Sequence, residues 1–300
     1  MKSNEELSPK IGAKAYVTLG FLSIIWGSSF ILIKKSLVVF DPVEVGAARV
    51  CFTFLAFSPV ILIKFKQIDW SKWKKFILVG IFGSALPSLL FAIAQLKVSS
   101  SIAGILNSTT PLFTLILGIL LFKQKAKSHQ IIGVVFGFIG ALILLLGDGS
   151  STMYGNLAFG SLILLATLSY AFNVNSIAVW FNDTPPIIIS AVSFSMLGPL
   201  AGAYLAYSDF YQDLTTHPDG YSAFAALAFL ALIGTGLATI IFFKLVQDSS
   251  ALFASSVAYT IPIVAVIWGI VDGEQFYILQ LMGLFSILIG IYLIREKKRT

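Results

Sequence analysis

The chain has 300 residues, of which 57% are hydrophobic and 11% charged. Soluble domains carry about 25% charged residues, so the polar groups here are too few to cover a globule, and a water-soluble fold is excluded. Basic residues exceed acidic ones by 20 to 14, an imbalance that marks membrane topology rather than a nucleic-acid surface.

Apolar stretches of roughly 20 residues, long enough to cross a bilayer as helices, recur along the chain. Ten are predicted: about Tyr16–Ile33, Val45–Ile63, Phe76–Ala94, Ile102–Phe122, Ile131–Gly147, Leu157–Phe181, Ile187–Tyr207, Phe224–Phe243, Ala251–Val271 and Phe276–Ile294. The fold class expected is therefore all-α integral membrane, ten transmembrane helices in two inverted five-helix repeats. The first span follows Lys10 and Lys14 but lacks an evident cleavage site, so it reads as a retained helix. Cys51 is the single cysteine, which rules out a disulfide within the chain. Asp41-Pro42-Val43-Glu44 has the pattern of a helix start, with Asp as cap, and Asp183-Thr184-Pro185 reads similarly. Only Ser208–Ser222 forms a roomy connection.

With the N-terminus in the cytoplasm, 16 basic residues fall on the inner side, Lys64, Lys72, Lys74, Lys75 and Lys123 among them. Three, Lys34, Lys35 and Lys97, fall outside, and Arg49 lies within a span. That bias predicts both termini in the cytoplasm.

The two halves resemble each other. Ser99-Ser100-Ser101-Ile102-Ala103 leads to Pro111, and Ser249-Ser250-Ala251-Leu252-Phe253 leads to Pro262, 151 positions later. Gly83, Ser84 and Ser88 match Gly234, Thr235 and Thr239; Gly133 and Gly140 match Gly283 and Gly290. Earlier in each half, Trp26 and Ser29 align with Tyr170 and Asn173 at an offset of about 144. Five predicted spans separate the copies, and five is odd, so the copies are expected to cross in opposite directions. Inverted repeats place a substrate site near the bilayer midplane, between the halves. The matched prolines Pro111 and Pro262 are read as hinges, against the plainer fact that proline is common in membrane helices.

Trp26-Gly27-Ser28-Ser29-Phe30, Lys34, the segment from Pro42 to Arg49, and Glu274 nine residues before Gly283 together resemble EamA-type members of the drug/metabolite transporter superfamily. The resemblance covers repeats at about 15–147 and 156–294. It implies a ten-helix carrier of the bacterial inner membrane with a central cavity, often exporting amino acids or related metabolites. Gln124 holds the place before Gly133 where such proteins carry a second glutamate.

Polar residues within spans are costly unless they find partners or water. Asn107, Thr110 and Thr114 share one helix face; Ser169, Asn173 and Ser176 share another; Ser255 with Tyr259, or Ser256 with Thr260, a third. The substrate-binding candidates are Arg49, Trp26, Ser29, Asn107, Thr110, Tyr170, Asn173 and Tyr259. For the hydroxyls the competing reading is plain interhelical hydrogen bonding. Arg49 has no carboxylate one turn away on its own helix. It is read either as recognising a substrate carboxylate, with Lys34 and Lys35 nearby and without obvious partners, or as snorkelling to the interface.

Nothing suggests an enzyme: no P-loop, metal-ligand cluster or activated nucleophile is visible. The expected partners are a small-molecule substrate and the lipid bilayer, with no cofactor, metal or nucleic acid, and a monomer or weak homodimer. The leading expectation is a secondary transporter exporting a small metabolite such as an amino acid. The alternatives are a carrier of a drug-like solute, or a membrane scaffold that transports nothing.

Overall fold

The computed structural model describes residues 13–123, 128–146, 153–274 and 277–294. Lys2, Lys10, Gln124, Lys125, Lys127, Arg295, Lys297, Lys298 and Arg299 lie outside them, as do Gly147 and Phe276 at the ends of two predicted spans. Among the described residues every regular element is helical. The segments are α1 (Ala13–Ser36), α2 (Pro42–Gln67), α3 (Trp70–Ala94), α4 (Ser100–Leu120), α5 (Ser128–Leu146), α6 (Met153–Trp180), α7 (Pro186–Tyr207), α8 (Phe210–Thr216), α9 (Gly220–Asp248), α10 (Ala251–Val271) and α11 (Ile278–Ile294). Eight are long and apolar enough to cross a membrane; in α5 and α11 the apolar stretches are shorter, Ile131–Gly140 and Leu281–Gly290. The short α8 occupies the connection expected to be merely roomy.

The outer face of the bundle is apolar, and inside it buried polar side chains are set among a larger number of apolar ones. Leu62, Ile63, Leu200 and Ile278 are at least 75% exposed, whereas Thr53, Asn107, Asn173 and Asn175 are buried. In lipid this arrangement satisfies the backbone internally and presents hydrocarbon to hydrocarbon. Many buried hydroxyls do what the plainer reading requires: Thr53 donates to Ala231 O at 2.9 Å, and Thr109 meets Thr167 at 3.1 Å.

The packing pairs follow a pattern. α2 lies along α7, α4 against α10, and α5 along α11; α3 packs on α6 as α9 packs on α1; and α6 packs on α4 as α1 packs on α10. The α5–α11 contact depends on glycine. A Cβ on Gly140 would sit 2.6 Å from Gly283 O, and one on Gly290 would sit 2.6 Å from Gly137 N. Backbones can approach this closely only where side chains are absent. Gly137 meets Leu112 of α4, so these glycines serve packing inside the bundle.

Helix starts follow local chemistry. Asp41 accepts from the backbone N–H of Val43 and Glu44, and the Glu44 carboxylate accepts from Asp41 N–H at 3.0 Å, a complete capping box. The second start differs from expectation: α7 begins at Pro186 with Pro185 in the cap position and no side-chain cap, and Asp183 is exposed. Proline pre-sets the first helical turn and needs no N–H there.

Candidate functional site

A cavity of about 100 Å³ lies between the helices. Trp26 and Ser29 from α1, Arg49 from α2, Asn107 and Thr110 from α4, and Tyr170 and Asn173 from α6 all line it. Seven of the eight residues singled out in the sequence thus come together. Tyr259 does not: it packs against the core outside the lining, while Ser255, one turn earlier on α10, does line the space.

Two aromatic walls bound the cavity. Trp26 meets Phe242 edge to face, with centroids 5.0 Å apart, and Tyr170 stacks on Phe91 at 6.1 Å. Trp26 also donates from Nε1 to Gly234 O at 2.9 Å. That carbonyl is available because Leu230–Leu237 in α9 is π-helical. A π turn leaves a carbonyl without its regular partner, and such turns gather at functional sites. The matched position in α3, Ile81–Ala85, is π-helical too. In each case a glycine of the π segment admits a polar side chain: a Cβ on Gly83 would collide with Asn173, and one on Gly234 would stand 3.1 Å from Ser29 Oγ.

Arg49 does not snorkel. It is 7% exposed, and its Nε and one Nη both donate to Thr235 Oγ1, at 3.2 and 3.1 Å. The Tyr170 hydroxyl interacts with the same guanidinium. Arginine offers five N–H donors in a fixed fork, so two of them spent on one hydroxyl leave capacity facing the cavity. No Asp or Glu is among the residues lining it. Ser84, Thr235 and Thr239 also line the space; the signal for them was present in the sequence, since they belong to the matched polar positions of α3 and α9.

Other polar candidates do not reach the cavity. Thr114 is buried and bonds Thr110 O at 2.9 Å, and Ser169 bonds Leu165 O at 2.9 Å. The two prolines stand where helices break rather than bend. α4 is interrupted between Asn107 and Thr110, with Pro111 opening the second piece. In α10 a 3₁₀ turn, Ser256–Tyr259, precedes Ile261–Val271, which Pro262 opens. Proline cannot donate to the preceding turn, so the regular ladder lapses ahead of it in both.

Lys34 and Lys35 correct the expectation of unpartnered cations. Lys34 Nζ lies 2.7 Å from Asp272 and 3.1 Å from Glu274, and Lys35 lies 3.5 Å from Asp272. Gly273, at φ +80°, turns the chain after α10. Glu274 is thereby carried onto the start of α4, where it accepts from Ser100 N–H at 2.9 Å, Ser101 N–H at 3.0 Å and Ser101 Oγ–H at 2.7 Å. Burial pushes the Glu274 carboxyl up, but these hydrogen bonds outweigh it and hold it below its ordinary value. Hydrogen bonding to Lys34 holds Asp272 down as well. The cluster ties α1, α4 and the α10–α11 connection together at one end of the bundle.

A multi-pass helical bundle enclosing a largely apolar cavity, set with one arginine and several hydroxyls and amides, is the build of a membrane transporter. The EamA-like transporter family model matches the chain twice, over residues 14–146 and 159–295, and the chain belongs to that family. It is 29% identical to the uncharacterized inner membrane transporter YedA of Escherichia coli K12, over 96% of this chain and 91% of that one. It is 22% identical to an uncharacterized transporter of Archaeoglobus fulgidus, over 95% of this chain and all of that one. A Salmonella typhimurium protein named a probable amino-acid metabolite efflux pump is 23% identical over 91% of this chain and 93% of its own length. A solved crystal structure superposes with a TM-score of 0.63 at 15% identity, covering 94% of this chain and 96% of that one, which establishes a shared fold.

Proposed function

We propose that this protein is a secondary carrier that exports a small carboxylate-bearing metabolite of the amino-acid type by alternating access. The observation that carries this reading is Arg49: a buried guanidinium facing a cavity whose lining supplies no carboxylate. A substrate carboxylate would complete it with charge-assisted bonds. Trp26 and Tyr170 would wall the substrate, while Ser29, Asn107, Thr110 and Asn173 would take its polar groups. The aromatic walls and small volume suit one compact solute, and the uncompensated arginine disfavours a drug-like cation. The name of the Salmonella relative points the same way.

The architecture proposed is ten membrane helices in two inverted halves, about 15–147 and 156–294, with both termini cytoplasmic. The packing pairs support it, because they persist when α1–α5 are exchanged with α6, α7, α9, α10 and α11. So do the paired π segments and the paired breaks before Pro111 and Pro262, which would act as hinges. On this topology the Lys34–Asp272–Glu274 cluster closes the outer end.

The test is flux. Purified protein in liposomes is screened with radiolabelled amino acids, with and without a proton gradient. The reading expects saturable flux of at least one of them; flux of drug-like cations alone, or none of any solute, rejects it.

A further inference from the structure

Threonines within regular helices return their hydroxyl proton to the carbonyl one turn back. Thr18 does so to Lys14 O and Thr114 to Thr110 O, four residues earlier in each case. Thr235 differs. It lies in the π-helical Leu230–Leu237 of α9, and its Oγ1 donates to Leu230 O, five residues back, at 3.1 Å. A π turn closes its hydrogen bonds over five residues, which brings that carbonyl within reach of the threonine. A hydroxyl has one proton and two lone pairs. With the proton directed at Leu230 O, Thr235 Oγ1 has only acceptor sites left, and Arg49 uses them from Nε and Nη2 at 3.2 and 3.1 Å. The threonine is buried.

The two donors that Thr235 takes belong to one edge of the guanidinium. Of the five N–H donors of an arginine, three remain, all on the Nη groups, and both residues line the cavity. The Tyr170 hydroxyl also interacts with this guanidinium. With one donor directed at it, two are left, the number a carboxylate takes in a paired, two-oxygen contact. The arrangement is not a by-product of π geometry. Ser84, the matched residue in the π-helical Ile81–Ala85 of α3, is buried with no partner for its hydroxyl. The neighbour of Thr235, Gly234, gives its carbonyl to Trp26 Nε1, so one turn of α9 fixes both the arginine and an aromatic wall.

We propose that Thr235 is the positioning residue for Arg49: its hydroxyl, oriented by Leu230 O, clamps the Nε–Nη2 edge of the guanidinium and so presents the remaining Nη edge to the cavity. This rests on reading the cavity as the site of a carboxylate-bearing substrate, and it adds which edge of the arginine meets that carboxylate and what holds the edge in place. An unclamped arginine is free to turn about several torsions, and the entropy of ordering it would then fall on binding.

The experiment reads Arg49 directly, since the other arginines are Arg295 and Arg299 near the C-terminus. The full chain, labelled with ¹⁵N-arginine, is placed in lipid nanodiscs, and the Arg49 Nε–H resonance is identified by its loss in Arg49→Gln. That proton is expected to exchange with solvent at least about tenfold more slowly than the other two, because a buried hydrogen bond protects it. Thr235→Val, of the same shape but with no acceptor, is expected to lose the protection, and Thr235→Ser to keep it. Acetate is the carboxylate probe, and acetamide, of similar shape and uncharged, is its control. Acetate should shift the Arg49 resonances of the parent and of Thr235→Ser, and bind Thr235→Val about tenfold more weakly; acetamide should shift none. A merely structural threonine predicts a lower melting temperature for Thr235→Val with exchange and acetate affinity unchanged, and that result overturns the proposal. If the valine variant does not fold, Thr235→Cys, whose sulfur is a weak acceptor, takes its place in each comparison. No response to acetate in the parent, with protection lost in valine and kept in serine, supports the clamp and rejects the carboxylate reading of the cavity alone.

Discussion

Replacing Glu274 by glutamine tests whether one carboxylate fastens an end of the bundle. Its two oxygens are divided: Oε1 takes Ser100 N–H and Lys34, and Oε2 takes both the N–H and the hydroxyl of Ser101. Charge-assisted hydrogen bonds contribute about 1.5–3 kcal/mol against about 0.5–1.5 for neutral ones, so losing the charge costs about 1 kcal/mol at each of the three bonds to α4. In addition, glutamine must point an NH₂ group at donors of Ser100 or Ser101. The Lys34 pair is left out of the sum, since the lysine is 41% exposed and keeps Asp272. The total is about 3 kcal/mol, which corresponds to a fall in melting temperature of about 6 °C. The pH dependence gives an independent check. The folded-state carboxyl is held below its ordinary value, so its contribution is complete above the unfolded value of about 4.3 and is lost as pH falls from there through the depressed folded value. The parent should therefore lose stability on acidification through that window, and Glu274→Gln should lose less. Equal melting temperatures near neutral pH, with identical acid limbs, would refute the assignment.

Arg49→Gln should weaken binding of a carboxylate substrate about tenfold or more, as loss of a charge-assisted bond implies; equilibrium binding to monodisperse protein measures it, and unchanged affinity rejects the anchor. Gly140→Ala should destabilise by about 1–3 kcal/mol, because the new methyl group meets Gly283 O at 2.6 Å; a melt at or above the parent's would show that α5 and α11 can part freely. Trp26→Phe removes the donor to Gly234 O and should cost about 1–3 kcal/mol for a buried carbonyl left unpaired, read in the same assay. In a Cys51→Ser background, single cysteines at Lys123 and Asp272, just beyond α4 and α10, should react with a membrane-impermeant thiol reagent from opposite sides. Labelling from the same side would end the inverted arrangement.

The sequence by itself determined the membrane class, most helix limits and the matched positions of the two halves, because a bilayer imposes a one-dimensional constraint that hydropathy reports directly. It also carried most of the polar residues that line the cavity, since a polar residue within an apolar helix is conspicuous and has few reasons to be there. Tertiary structure alone decided who meets whom. Lys34 and Asp272 are 238 residues apart, and no helical spacing announces their pairing. The same holds for Arg49 and Thr235, 186 residues apart. Tyr259 shares a helix face with Ser255, yet the 3₁₀ turn at Ser256–Tyr259 changes the angular step and carries it out of the lining. The π segments were equally hidden, because they depend on which neighbours receive the carbonyls they release. Contacts between helices distant in sequence, and departures from regular helical pitch, are consequences of packing, and a linear pattern of side chains does not contain them.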